Sequence, residues 1–198
     1  MMRIIAGTAR RKPLATLEGE DVTRPTSERV KEGLFSAIQF EITGRRVLDL
    51  FGGTGQLALE ALSRGAKDAV IVDQSLDAAK IIKTNVKSTG FFDVTRVMRL
   101  DYSEYLKRAT AAGEKFDLVF LDPPYAKDVK DEVLKKVTRA GLLAPGAIVV
   151  CESDKDLFRN GETAYDLTVR GIYRYGKTYV TLLVNPETDE AETEAKDE

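Results

Sequence analysis

Arg46-Val47-Leu48-Asp49-Leu50-Phe51-Gly52-Gly53-Thr54-Gly55-Gln56-Leu57-Ala58 decides the fold of this 198-residue chain. Arg46 to Leu50 reads as a buried strand and Gln56 to Arg64 as a helix, so the glycines fall on a strand-to-helix turn. Glycine there lets the backbone approach a ligand closely, at the carboxyl edge where open α/β sheets bind ligands. The same alternation continues outward. Ala69 to Val72, Val94 to Leu100, Phe116 to Leu121 and Ala147 to Cys151 read as strands. Leu76 to Ser88, Ser103 to Ala111 and Val129 to Ala140 read as the helices between them. Strands and helices in turn predict a doubly wound, mostly parallel sheet. Tyr165 to Tyr175 and Lys177 to Val184 are rich in aromatic and β-branched residues and are parted only at Gly176, which predicts an antiparallel terminal hairpin. Seven strands in an α/β fold are expected.

Upstream, Arg3 to Ala6 and Lys12 to Leu14 suit a short hairpin or arm, and Ser27 to Phe40 a helix capped by Thr26 or Ser27. The expected organisation is an N-terminal arm and helix over 1–45, a main domain over 46–185 and a disordered tail over 186–198. The tail has seven acids and one base. Since the whole chain carries −2, residues 1–185 carry +4. Arg10-Arg11-Lys12 and Arg24 are the local cations that suit a polyanion, against the plain alternative of a solvated face.

Composition excludes several chemistries. With no histidine and only Cys151, neither a Ser-His or Cys-His nucleophile pair nor a His/Cys zinc site can be assembled. No metal is expected. No apolar stretch is long enough for a bilayer, and the first residues lack the layout of a signal peptide, so a cytoplasmic protein is expected.

Three strands end in acids: Asp49, Asp73 and Asp101, the last followed by Tyr102. Asp73 is placed to hold the ribose hydroxyls of an adenosine, and Asp101 to accept from an adenine amine. Gly53-x-Gly55-x-x-Ala58 with an acid about 20 residues on also satisfies the dinucleotide fingerprint, so a nicotinamide cofactor is the rival. Asp49 argues against it, because a carboxylate at the glycine turn repels a pyrophosphate and suits an ammonium and a sulfonium. S-adenosylmethionine fits better. After the fourth strand comes Asp122-Pro123-Pro124-Tyr125. Prolines lock φ and lack an N–H, so the carbonyls of this corner are not taken up by a regular element and face a ligand. A carboxylate, a carbonyl and an aromatic face suit a conjugated amine on a nucleobase. A strand-ending turn is the plain reading of the tetrapeptide.

Asp49-x-Phe51-x-Gly53-x-Gly55, Asp73, Asp101 and Asp122-Pro123-Pro124-Tyr125 resemble, in order, the motifs of class I S-adenosylmethionine-dependent amino-methyltransferases. More narrowly, Arg3 to Gly7, Arg24-Pro25-Thr26 with Arg29-Val30, Leu59 to Ala66 and Tyr175-Gly176 resemble the RsmD-type family. That resemblance covers residues 3 to about 184. It implies methyl transfer to the 2-amino group of a guanine in small-subunit (16S) ribosomal RNA, within a ribosomal subunit or assembly intermediate. It implies Asp122, Pro123, Pro124 and Tyr125 as the catalytic corner, and Asp49, Phe51, Gly53, Gly55, Asp73, Asp101, Tyr102 and Thr26 around the cofactor. Arg10, Arg11, Lys12 and Arg24 are expected on RNA phosphates. Asp73 stands where the family often has Glu, and Gly52 where a small residue, often Ala, is usual. A DNA adenine methyltransferase and a non-catalytic RNA-binding assembly factor are the alternatives.

Overall fold

The computed structural model describes residues 2–16, 28–123 and 129–186. The expected cap at Thr26 or Ser27, Arg24, Pro124, Tyr125 and the acidic tail lie outside the described residues. Helices are α1 (Glu28–Ala37), α2 (Gln56–Ser63), α3 (Leu76–Thr89), α4 (Tyr102–Ala111) and α5 (Val129–Arg139). Strands are β1 (Arg46–Asp49), β2 (Asp68–Asp73), β3 (Thr95–Arg99), β4 (Phe116–Leu121), β5 (Leu143–Ser153), β6 (Thr163–Ala164), β7 (Leu167–Tyr175) and β8 (Thr178–Val184).

All eight strands join one sheet in the order β3-β2-β1-β4-β5-β8-β7-β6. β3, β2, β1, β4 and β5 are parallel, while β8 runs antiparallel to β5 and to β7. The expected seven strands become eight. The addition is the two-residue β6, which pairs with β7 across a turn at Tyr165 and Asp166, both at positive φ. Two residues are too few to register as an alternating apolar pattern, and Tyr165 reads from sequence as the start of the following strand.

Helices cover both faces, because the parallel strands inside the sheet, β2, β1, β4 and β5, bury apolar residues on both sides. On one face, Phe35 of α1, Leu59 of α2 and Ile82 of α3 pack with Ile71, Phe120 and Ile148 of the sheet. On the other, Tyr105 of α4 and Leu134 of α5 pack with Val70, Val119 and Val149. α3 starts where Ser75 Oγ accepts from the Ala78 N–H at 3.3 Å and ends at Gly90, φ +86°.

The N-terminal arm packs into the first of these cores through Ile4, Ala9 and Leu14. It is a small antiparallel hairpin, with Ile4 N–H donating to Lys12 O and Leu14 N–H to Met2 O. Ser63 fixes its tip: the Oγ donates to Ala6 O at 2.5 Å and accepts from the Ala9 N–H at 3.0 Å. A methyl group at Gly7 would overlap the Ser63 carbonyl, so this residue has to be glycine. Glu60, fully buried, accepts from the N–H groups of Ile5 and Ala6, and Lys31 Nζ donates to Arg3 O at 2.6 Å.

Candidate active site

Parallel register brings the strand ends to one edge. Asp49 pairs across to Ile71 and Phe120, and Asp73 to Arg99. Asp101, Asp73, Asp49 and Asp122 therefore follow one another across β3, β2, β1 and β4. At the usual strand spacing this row spans about 14 Å.

Asp49 sits under the glycine turn, only 2% exposed. Its carboxylate accepts from the backbone N–H groups of Phe51 and Ala58, which ties the turn to the first residues of α2. Burial pushes its pKa up to about 7 against those hydrogen bonds, and the neighbouring Asp73 adds to the rise. Asp73 Oδ2 accepts from Gly53 N–H at 2.9 Å and its Oδ1 from Ser75 N–H at 2.8 Å. The acid is thus part of the turn's scaffold as well as a candidate ligand, and a carboxylate has lone pairs left for hydroxyl donors. Gly55 is left-handed, φ +78°, and opens α2. Gly52 lies against Ile71, where a methyl would collide, whereas a methyl on Gly53 would meet nothing. The turn is therefore packed on its sheet side and open at Gly53.

Asp101 caps α4, accepting at Oδ1 from the N–H and the Oγ of Ser103, and these bonds hold its carboxyl below the usual range. Phe51 and Tyr102 meet with ring centroids 5.4 Å apart, forming an aromatic wall between the ends of β1 and β3. Lys136 of α5 stands over the Tyr102 ring, 5.2 Å from its centroid. At the end of β4, Asp122 is half-buried and Pro123 buried. Leu50 N–H donates to Phe120 O at 3.3 Å, fixing the glycine turn directly beside this corner.

Beside Pro123 a cavity of about 120 Å³ opens between the ends of β4 and β5. Leu121, Leu134, Cys151, Leu157 and Phe158 line it together with the polar Asp131, Glu152 and Ser153. Leu157 and Phe158 are absent from the sequence-based site. The signal for them is a lone apolar pair inside the polar stretch Glu152 to Asn160. Arg10, Arg11 and Lys12 fall elsewhere. They sit on the arm's tip, at the carboxyl-terminal ends of α2 and α3, with Lys12 Nζ donating to Ser88 O at 2.9 Å. Among the described residues, no group of acids and cysteine could hold a metal ion. No helix of the described residues is long and apolar enough to cross a membrane.

A glycine cradle with a row of strand-end acids, on a parallel sheet closed by an antiparallel hairpin, defines the class I methyltransferase fold, whose methyl donor is S-adenosylmethionine. The chain belongs to the family described as "Conserved hypothetical protein 95", the RsmD family, whose model matches residues 2–184. Among its relatives is YlbH of Bacillus subtilis, 34% identical over 181 residues, which span 91% of this chain and 97% of that protein. Ribosomal RNA small subunit methyltransferase D of Haemophilus influenzae is 33% identical over 156 residues, 78% of this chain and 80% of its own length. The solved structure of a hypothetical protein from Thermus thermophilus superimposes with a TM-score of 0.78 at 31% identity, over 94% of this chain and 99% of that one.

Proposed function

We propose that this chain transfers a methyl group from S-adenosylmethionine to the exocyclic 2-amino group of a guanine in small-subunit ribosomal RNA. The observation that carries this reading is the adjacency of two parts on neighbouring strands: the cradle after β1 and the Asp122-Pro123 corner after β4. The name of the Haemophilus relative supports ribosomal RNA as the substrate.

Around the cofactor, Gly53 supplies the open backbone face, Asp73 accepts from the ribose hydroxyls, and Phe51 with Tyr102 offers the apolar wall for the adenine. Asp49, ionised, favours the cationic methionine end. When bound, S-adenosylmethionine supplies an electrophilic methyl carbon, and its C–S bond breaks as the N–C bond forms.

The guanine amine is a weak nucleophile, since its lone pair is delocalised into the ring. Accepting its two N–H bonds at the Asp122 carboxylate and the Pro123 carbonyl favours a pyramidal nitrogen with the lone pair toward the methyl carbon. Such positioning can supply roughly 7–11 kcal/mol of the barrier. The nitrogen sheds a proton as it is methylated, and Asp122 or water takes it, so no histidine is needed. Tyr125 stacks on the base, worth on the order of 1–3 kcal/mol. The base has to leave its RNA stack to enter, and the mostly apolar cavity beside Pro123, with Asp131, Glu152 and Ser153 as its polar lining, receives its ring.

The test is methyl transfer from isotope-labelled S-adenosylmethionine to unmethylated small subunits, to their naked RNA and to duplex DNA, followed by nucleoside digestion. Label in N2-methylguanosine from the RNA-containing substrates alone is the expected result. Label in DNA adenine would overturn the target. Cofactor binding without any transfer would favour a binding factor.

A further inference from the structure

The outer face of α3 carries Lys80, Lys83 and Lys87, all exposed. Their spacing of three and four residues stacks them in one line along the helix. α3 starts beside the cofactor edge, because Ser75, its capping residue, donates its N–H to Asp73, and Lys80 to Lys87 covers about 10 Å of its length. It ends about 20 Å away, at 1.5 Å per residue, where Lys12 of the arm reaches Ser88 O. Arg10 and Arg11 lie exposed on the same tip. Two segments remote in sequence therefore join into a single file of six cations.

The file is fixed in place. Ile82 and Val86 bury the inner face of α3, and Asn85 Nδ2 donates to Ala15 O and to Thr54 O. The arm's tip is held by Ser63 and Glu60. Neutralisation is slight: Asp77 pairs with Lys80 at 3.0 Å, and among the described residues Arg10, Arg11, Lys83 and Lys87 form no ion pair.

We propose that this file is a track for the RNA backbone, which leads the strand from the target guanine over α3 to the arm. The proposal extends the ribosomal RNA reading above by assigning α3 a role in holding that substrate. Charge complementarity selects the occupant: cations in line over about 10 Å of α3 and continuing onto the arm's tip match a phosphodiester chain. It also gives Arg10, Arg11 and Lys12 a connection to a catalytic edge that they do not themselves reach.

The experiment compares the wild type with K83Q/K87Q, loaded with S-adenosylhomocysteine, for binding to unmethylated 16S RNA over a salt series. A second double variant, K107Q/K135Q, removes two exposed lysines from α4 and α5 on the other face of the sheet. K83Q/K87Q should bind RNA at least about tenfold more weakly at low salt, with a log–log salt slope shallower by about 1.4–1.8. K107Q/K135Q should match the wild type, and all three should bind S-adenosylhomocysteine equally. Unchanged affinity and slope in K83Q/K87Q would overturn the track, and so would an equal loss in both variants, which would mark a net-charge effect. Weakened binding to assembled subunits alone, with naked RNA unaffected, would place a protein on this face instead. Methyl transfer is read separately: a wild type that methylates RNA beside an unaffected K83Q/K87Q keeps the activity and loses the track. RNA binding with the expected slopes but no transfer does the reverse.

Discussion

Lys31 Nζ lies 3.4 Å from Glu60 Oε2, and neither side chain is more than 1% exposed. Burial lowers the Lys31 pKa below the ordinary lysine range, while Glu60 opposes that shift. Glu60 also accepts from Arg64 Nε at 2.8 Å and from two arm N–H groups, so one carboxylate holds α1, α2 and the arm together. Glu60→Ala would leave the buried Lys31 without its counter-charge and the Ile5 and Ala6 N–H groups without their acceptor. The expected cost is about 3–5 kcal/mol, measured by urea unfolding. Lys31→Met should cost less, because Glu60 keeps its other donors.

Asp49 gives a pH dependence of known sign. Its folded-state pKa is raised to about 7 from 3.8, so the folded protein holds a proton that the unfolded chain releases. Its contribution to stability is complete below about pH 4 and is lost as the pH rises through about 7. Cofactor affinity should move oppositely, rising through the same window as the carboxylate ionises toward a cationic ligand. Asp49→Asn should flatten both profiles, read by thermal unfolding and by calorimetry of S-adenosylmethionine binding.

Tyr105 Oη is buried, with no hydrogen-bond partner among the described residues, and burial pushes its ionisation far above the ordinary phenol range. An unsatisfied buried hydroxyl is a cost, roughly 1–3 kcal/mol. Tyr105→Phe keeps the ring against α5 and should leave the urea midpoint unchanged or raise it. A lower midpoint would show that the hydroxyl is satisfied in solution.

Asp122 and Asp73 should separate in kinetics. Asp122→Ala is expected to lose more than tenfold in turnover, at least about 1.4 kcal/mol of barrier, while S-adenosylmethionine still binds. Asp73→Ala should weaken cofactor binding in calorimetry, both by losing a ribose acceptor and by releasing the Gly53 N–H that shapes the turn.

The parallel core is legible in the sequence because β1 and β4 are short apolar runs whose side chains are buried on both faces, and such strands announce themselves without partners. The carboxyl-edge acids are legible for the same reason: Asp49 and Asp73 are the last residues of runs whose ends are plain. What Asp73 and Asp101 do is less so. Both turn out to knit local backbone, to Gly53 and Ser75 and to Ser103, bonds that depend on turn geometry rather than on spacing. Glu60 is the clearest case of hidden information. An acid in a helix ordinarily faces water, and nothing in its neighbourhood tells that Lys31, in another helix, comes to meet it. The arm's basic cluster is visible as composition, yet its seat beside Ser88 follows from Gly7 packing against Ser63, a contact between segments far apart in the chain.

Met2 Sδ accepts from Thr54 Oγ1 at 3.2 Å, so the arm's first described residue ends against the glycine turn itself. β8, antiparallel to β5, carries Pro186 away at the amino-terminal edge of the parallel strands. Purification tags and fluorescent fusions consequently have very different effects at the two termini. A fusion placed ahead of Met2 would crowd the mouth of the cofactor cradle and depress activity for reasons unrelated to folding. A fusion at the carboxyl-terminal end of the sequence follows on from Pro186, on the far side, and should leave the reaction undisturbed.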